Sequence, residues 1–304
     1  MRILVVGAGA IGGYFGGRLL EAGRDVTFLV RRERSERLAA TGLVIRSGSG
    51  DYTLPNPSTV RAEDLARPFD LVLVSCKAYD LEGAIAGFAP AVGPETLILP
   101  LLNGMRHLDR LDRQFGSGAV LGGLCLISSG LDPEGRILHH NTMHGIVFGE
   151  RDGPPSARAE AVAAAFAGAR FNARLSTEIL QEMWEKWVFI ASLAGINCLM
   201  RGTVADYLAA GGGGLAAALV DECAAIAGRQ GFPPGEAALA KVRTELTVPS
   251  GLTASMLRDL ERQAPIEADH VIGDLLGRGE PGASPLLTIV LAHLKTYEAR
   301  RARG

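Results

Sequence analysis

The stretch RILVVGAGAIGGYFGGRLLEAG, residues 2–23, decides the fold of the first part of this chain. A run of β-branched and leucine residues is followed by three glycines at the spacing G-x-G-x-x-G and then by a helix pattern. This order is typical of a dinucleotide-binding sheet, in which the helix N-terminus offers unpaired N–H groups to a pyrophosphate. We predict that the phosphate-binding residues are Gly7, Gly9, Ala10, Ile11 and Gly12. A glycine-rich turn without a ligand is the less favoured alternative.

Further along the chain, hydrophobic runs bounded by Gly, Pro or Asp alternate with helical patterns. Near-continuous hydrophobic strands with helical crossovers indicate a parallel sheet that is covered on both faces. Strands are expected at 2–7, 25–30, 71–76, 96–102 and 119–128, with helices such as 11–23 and 81–92 between several of them. A hairpin over 135–150, a helix at 157–169 and a strand at 170–175 complete this domain.

From Thr177 onward the sequence contains no strand pattern. Helices are expected at 177–200, 215–230, 235–247, 253–263, 266–278 and 285–302, with breaks at four glycines and at a pair of prolines. The predicted fold class is therefore α/β. A Rossmann-type, doubly wound parallel sheet over residues 1–175 is followed by an all-α domain over residues 176–304.

The composition is that of an ordinary globular protein. Of the 304 residues, 47% are hydrophobic and 21% are charged, and the net charge of −2 gives no reason to expect nucleic acid as a partner. Charged residues and glycines interrupt every apolar run before it could span a membrane. The N-terminus has no signal-peptide pattern, and the four cysteines are far apart, as in reduced proteins. We expect a cytoplasmic protein.

The second predicted strand ends at Arg31 and Arg32. A protein that binds NAD usually has an acidic residue near this point, which contacts the ribose 2′-hydroxyl. Two guanidinium groups instead suit a 2′-phosphate, through charge-assisted hydrogen bonds. The sequence therefore favours NADP(H) as the cofactor. The alternative is a solvated basic start of the next helix.

Two polar residues follow two other predicted strands. Lys77 comes directly after strand 71–76, and Asn103 comes directly after strand 96–102. Ligands of doubly wound sheets bind beyond the carboxyl ends of the strands, where a lysine can neutralise phosphate and an amide can orient an oxygen. We predict that both residues contact the cofactor. Simple capping of the next helix is the alternative, above all for Asn103.

The motifs together resemble the ketopantoate reductase (2-dehydropantoate 2-reductase) family nearly end to end. Besides the glycine motif, the resemblance rests on CKAYD with Lys77, NGM with Asn103, WEKW with Lys186, and TASMLRDLERQAPIEAD with Ser255 and Glu267. It implies an NADP(H)-binding Rossmann domain joined to a helical domain, with the active site between them. The implied reaction is hydride transfer from NADPH to the C2 ketone of 2-dehydropantoate, which gives pantoate for pantothenate synthesis.

The resemblance also implies residue roles. Lys186 is the expected general acid, and Glu267 is the second expected catalytic residue, at the junction of substrate and cofactor. Asn103 and Ser255 are expected to bind the substrate, and Asn103 and Glu267 also contact the cofactor. An ammonium at Lys186 would stabilise the negative charge that develops on the ketone oxygen and then donate its proton. A lysine at a helix start whose head group simply reaches solvent is the alternative.

One departure from the family pattern concerns the substrate. Members commonly have asparagines four and eight residues after this lysine, where the present sequence has Ile190 and Ala194. Asn197 lies about three turns along the helix and cannot replace a neighbour one turn away. A related NADPH-dependent reductase of another 2-oxo or 3-oxo acid therefore stays open. A non-catalytic NADP(H)-binding sensor is a weaker alternative, because the set of site residues is retained.

The stretch HHNTMH, residues 139–144, places three histidines close together. Alternation along a strand would turn His140 and His144 to one face and His139 to the other. No acidic or cysteine ligand follows at a matching spacing, so we predict no metal site. The expected partner is a small 2-oxo acid, and association into a homodimer is left open.

Overall fold

The computed structural model describes residues 1–303, and the chain forms two compact units. The first, here called the sheet unit, comprises residues 1–102 and 107–179. The second, here called the helical unit, comprises residues 103–106 and the chain from Leu180 onward. The short segment 103–106 thus groups with helices that follow it much later in the sequence.

Strands and helices alternate through the sheet unit. In chain order they are β1 (Arg2–Val6), α1 (Ala10–Glu21), β2 (Asp25–Leu29), α2 (Arg32–Thr41), β3 (Leu43–Arg46), β4 (Tyr52–Leu54), β5 (Thr59–Val60), β6 (Leu71–Val74), α3 (Leu81–Phe88), β7 (Leu97–Pro100), α4 (Arg106–Phe115), β8 (Gly122–Leu131), β9 (Ile137–Gly149), α5 (Ala157–Phe166) and β10 (Asn172–Leu175).

The predicted parallel sheet is confirmed. Its strand order is β5-β2-β1-β6-β7, and every neighbouring pair is parallel. All residues of β6 and β7 are buried, as are Ile3–Val6 of β1, because helices cover both faces of the sheet. The central strand β1 runs directly into the glycine motif, so the motif lies at the carboxyl edge of the sheet.

A second sheet corrects part of the prediction. It has the order β10-β9-β3-β4, with β8 paired to β9. The expected strand 119–128 was grouped with the parallel strands, but β8 is antiparallel to β9 over most of its length. Strands β3, β4 and β5 were not predicted, because segments of two to four residues are too short to show a periodic pattern.

The expected alternation of the histidines is wrong. Ile127 pairs with His144 and Ser129 pairs with His139, so two steps along β8 correspond to five steps along β9. The extra residues form a bulge that reverses the facing of the chain between the two histidines. His139 and His144 therefore share one side, with ring centroids 5.3 Å apart, and both contact Tyr14.

The helical unit has no strand among its described residues. Its helices are α6 (Ile179–Met200), α7 (Val204–Ala209), α8 (Gly213–Arg229), α9 (Glu236–Thr247), α10 (Ser255–Glu261), α11 (Asp274–Gly277), which continues a π-helical turn at Asp269–Gly273, and α12 (Pro285–Arg301). All agree with predicted helices except the short α7. Trp187 on α6 is fully buried in this unit. In the part of the chain that the structure describes, no helix is long and apolar enough to cross a membrane.

Candidate active site

The three glycines of the motif meet three different requirements. Gly7 has φ of +91°, a left-handed conformation that favours glycine. A Cβ at Gly12 would lie 2.1 Å from Ser75 Oγ and 2.2 Å from the Gly7 carbonyl oxygen, so the close approach of helix and loop requires glycine. Gly9 is the N-cap of α1, and a Cβ there would have no atom within 4 Å. The space beside Gly9 fits the close approach of a pyrophosphate.

Ser75, which sequence reasoning did not single out, supports the loop from the end of β6. Its hydroxyl donates to the Val6 carbonyl at 2.9 Å. The loop is also joined to β2, because the Gly7 N–H donates to the Leu29 carbonyl at 2.9 Å. Ala10 and Ile11 form the first turn of α1. Lys77 is the N-cap of a 3₁₀ turn at the same sheet edge, where it is partly buried.

The two predicted cofactor arginines have different surroundings. Arg31 is the N-cap of α2 and forms an ion pair with Asp80 at 2.7 Å, which raises the pKa of Arg31. Its side chain is 79% exposed, so the guanidinium retains donors for an anion. Arg32 pairs with Glu36 one turn further along α2 at 2.8 Å. Of the two, Arg31 lies closer to the end of β2, where a ribose phosphate is expected.

A third arginine, Arg34, contacts the glycine loop and was missed at the sequence level. Its Nε donates to the Ala8 carbonyl at 3.0 Å, and its Nη1 donates to the Gly135 carbonyl at 3.2 Å. Burial, and to a lesser degree Arg37, lower the pKa of Arg34. Its place in the first turn of α2 was visible in the sequence, but its partners were not.

Lys186 lies in the first half of α6, where its side chain is partly buried. The following residue, Trp187, donates from its indole Nε1 to the Val271 carbonyl at 2.8 Å. This bond fixes α6 to the π-helical turn. Ile190, one turn beyond Lys186, is partly buried, and Ala194 is buried. The helix face that follows the lysine is therefore apolar where family members commonly have amides.

Asn197 does not supply the missing amide. Its Oδ1 accepts from the Ala254 N–H at 2.9 Å, and its Nδ2 donates to the Gly202 carbonyl at 2.8 Å. Both ends of the side chain thus bind backbone groups. Since Ala254 is the N-cap of α10, this contact fixes the position at which Ser255 begins the helix. Ser255 itself is exposed.

Asn103 and Glu267 both lie beside His270. The His270 imidazole is hydrogen-bonded to the backbone of Asn103, and the Glu267 carboxylate acts on the same ring electrostatically. Glu267 immediately precedes the helix that starts at Ala268, and its carbonyl accepts from the Val271 N–H at 2.9 Å. Pro265 lies three residues before the start of this helix.

The structure separates the predicted site residues into two groups. Asn103, Lys186, Ser255 and Glu267 all belong to the helical unit. The glycine loop, Arg31, Arg32 and Lys77 belong to the sheet unit. Among the described residues, no group of three or more His, Cys, Asp or Glu side chains could hold a metal ion.

Comparison with known proteins identifies the family. Residues 3–153 match the family model Ketopantoate reductase PanE/ApbA, and residues 178–298 match its C-terminal model. The uncharacterized oxidoreductase YkpB of Bacillus subtilis (strain 168) is 39% identical over 305 residues, covering 99% of this chain and 100% of that protein.

Solved structures of similar proteins agree with this match. The 2-dehydropantoate 2-reductase of Geobacter metallireducens GS-15 has a TM-score of 0.89 at 30% identity, covering 97% of this chain and 99% of that one. A ternary structure of D-mandelate dehydrogenase with NADH and anilino(oxo)acetate shares the fold, with a TM-score of 0.89 at 19% identity and coverage of 99% and 100%. The chain therefore belongs to the ketopantoate reductase PanE/ApbA family of oxidoreductases.

Proposed function

We propose that the chain reduces the C2 ketone of 2-dehydropantoate to the alcohol of pantoate with NADPH, a step of pantothenate synthesis. The observation that carries the proposal is the connection of the substrate-side segments within the helical unit. Trp187 ties the Lys186 helix to the π-helical turn, and the same turn contacts Asn103 and follows Glu267. Asn197 ties the far end of α6 to the start of the Ser255 helix.

The sheet unit fits the cofactor. The backbone of Gly7–Gly12 would hold the pyrophosphate, since Gly9 leaves open space and the N-terminus of α1 presents unpaired N–H groups. Arg31, ion-paired with Asp80 and largely exposed, would bind the 2′-phosphate. Arg32 would contribute less, because it lies one residue further from β2, within α2. When bound, NADPH supplies the hydride.

The residues of the helical unit would supply the rest of the chemistry. Lys186, as an ammonium, stabilises the negative charge that forms on the ketone oxygen and donates a proton to it. Asn103 and Ser255 hold the oxo acid by hydrogen bonds. Glu267, at the start of a helix, remains an acceptor for a hydroxyl of the substrate or of the cofactor ribose.

A second candidate substrate is a 2-oxo or 3-oxo acid with a less polar side chain than 2-dehydropantoate. Ile190 and Ala194 make the face beyond Lys186 apolar, and Asn197 uses both ends of its amide on backbone groups. A wall of this kind offers no donors to a hydroxyl group, and it gains free energy by covering an apolar substrate surface.

The test is a comparison of kcat/KM across a panel of oxo acids, with loss of NADPH absorbance as the readout. The panel contains 2-dehydropantoate, branched and aromatic 2-oxo acids, and 3-oxo acids. Preference for 2-dehydropantoate supports the first substrate, and preference for an apolar acid supports the second. A chain that binds NADPH but reduces none of the acids would be a sensor, and the proposal would then be wrong. Light scattering on the same preparation distinguishes a monomer from a homodimer.

A further inference from the structure

The π-helical turn contains a buried polar residue to which the proposed mechanism assigns no role. His270 lies within the turn Asp269–Gly273 and is 8% exposed. Single π turns inside helices are rare and are frequent at functional sites, because the wider turn changes the direction of its side chains. Here the turn begins two residues after Glu267.

The backbone of Gly104 packs directly against His270. Gly104 has φ of +74°, and a Cβ there would lie 3.0 Å from the His270 carbonyl oxygen and 3.3 Å from the ring Cδ2. Any larger residue would have to displace backbone atoms of the π turn. The segment 103–106 is therefore held close to this turn, although the two are far apart in the sequence.

A hydrogen bond joins the His270 imidazole to the backbone of Asn103. The bond favours the protonated ring, so a ring N–H donates and the Asn103 carbonyl accepts. This contact fixes the peptide group that carries the Asn103 side chain. Together with the packing of Gly104, it constrains the backbone from which that amide projects.

Burial, which the surrounding charges offset only in part, favours a neutral His270 ring. Burial lowers the pKa of His270, and Glu267, Asp274 and the bond to Asn103 oppose this only in part, while Arg106 adds to it. Other charged groups near the turn have their own contacts. Lys295 of α12 is paired with Asp269 at 2.8 Å, and the Arg278 guanidinium lies 5.6 Å from the centre of the Trp187 ring. A neutral imidazole can still donate the hydrogen bond.

We propose that His270 is a positioning residue, which holds the Asn103 amide in the direction that binds the 2-oxo acid. The identity of the ligand rests on the proposed function, whereas the contact between His270 and Asn103 is independent of it. The competing explanation is that His270 only fills space in the core of the helical unit.

The two explanations differ in their kinetic consequences. A residue that only fills space affects the fraction of folded protein, so its loss lowers apparent kcat and leaves KM unchanged. A residue that orients Asn103 affects binding of the oxo acid, so its loss raises KM more than it lowers kcat. An amide side chain in place of the imidazole could restore the donor but not the shape of the ring.

The first experiment measures hydrogen exchange of peptides that cover residues 103–106 in the free protein. His270→Phe keeps a ring but removes the donor, and we expect exchange roughly fivefold faster, the factor that one net hydrogen bond represents. Either His270→Gln or His270→Asn should restore slow exchange. The matched control is His293→Phe on α12, whose Nε2 has no hydrogen-bond partner among the described residues and which should change nothing.

Kinetics of the same variants complete the test. We expect His270→Phe to raise KM for the oxo acid roughly fivefold with kcat within about twofold of the parent, and one amide variant to reverse most of the change. If His270→Phe is insoluble, His270→Ala replaces it. Unchanged exchange at 103–106 in the donor-free variant, or failure of both amide variants to restore it, overturns the inference. If the parent chain is inactive, only the proposed function is refuted. The role of His270 is still tested, because hydrogen exchange is measured without substrate.

Discussion

The glycine loop of the sheet unit and the π-helical turn of the helical unit build their sites in different ways. The loop uses consecutive residues, Gly7–Gly12, and the groups that it would offer to the proposed cofactor are backbone N–H groups at the start of α1. The turn works through side chains and backbone groups of its neighbour Glu267 and of two segments that are distant in sequence, at Asn103 and Trp187.

The two regions therefore differ in how far local sequence alone can predict them. The loop can be identified from local sequence, because each glycine answers a steric requirement of its own neighbourhood. The contacts of the turn depend on how the helices pack, and a single substitution there can alter several segments at once. We therefore expect variants of the sheet unit to change cofactor binding, and variants of the helical unit to change turnover or substrate binding.

The largest expected effect concerns Lys186. Lys186→Ala should lower kcat by roughly 10²- to 10⁴-fold, the usual contribution of a general acid, while the Kd for NADPH stays near that of the parent. Stopped-flow turnover and a fluorescence titration of NADPH measure the two quantities. Lys241→Ala, at an exposed position of α9 in the same unit, is the control and should alter neither. Near-normal turnover without Lys186 would assign the proton to another group.

Arg31 should show the opposite pattern. Arg31→Ala would remove the proposed charge-assisted bonds to the 2′-phosphate and should weaken NADPH binding roughly 10- to 100-fold, with little effect on NADH. Arg32→Ala should have a smaller effect, because Arg32 lies one residue further from β2, within α2. Titration of both cofactors on the two variants measures this. Equal affinity of the parent for NADH and NADPH would contradict the assignment.

Two glycines of the loop provide a matched pair. Gly12→Ala would force a Cβ to 2.1 Å from Ser75 Oγ, and we expect a loss of about 1–3 kcal/mol in the free energy of unfolding. The Cβ that Gly9→Ala adds has no atom within 4 Å, so this variant should unfold like the parent. It should nevertheless bind NADPH more weakly. Urea unfolding without cofactor, followed by NADPH titration, separates packing from binding. Equal loss of stability in both variants would show that Gly9 also serves packing.

The smallest expected effect concerns pH and the histidine pair of the sheet unit. Burial, His139 and Arg18 lower the pKa of His144 below its ordinary 6.5. The unfolded chain therefore binds more protons than the folded chain around and below pH 6.5, so stability falls as the pH falls through this range. His144→Gln should lose less stability than the parent between pH 7.5 and 5.5, by up to about 1 kcal/mol because solvent screens the site. Thermal unfolding at both pH values measures this difference. If the parent and His144→Gln lose the same stability, His144 is not a source of the pH dependence.

The sequence predicts the glycine loop, the parallel strands other than β5, and every helix of the helical unit except α7, because each depends on a periodic or local pattern. It does not predict the pairing of β8 with β9, nor the bulge that brings His139 beside His144, since a bulge has no periodic signature. The contacts of Arg34 with Ala8 and of His270 with Asn103 were also hidden. Both join segments that only tertiary packing brings together.

The proposed function requires that this chain move a hydride from NADPH to the ketone carbon of an oxo acid. Single-turnover reaction of excess protein with NADPH deuterated at the transferable position, and with the preferred acid of the panel, tests it directly. We predict a hydroxy acid that carries the deuterium on the former ketone carbon, detected by mass spectrometry. An unlabelled hydroxy acid, or consumption of NADPH without any hydroxy acid, would contradict the proposed function.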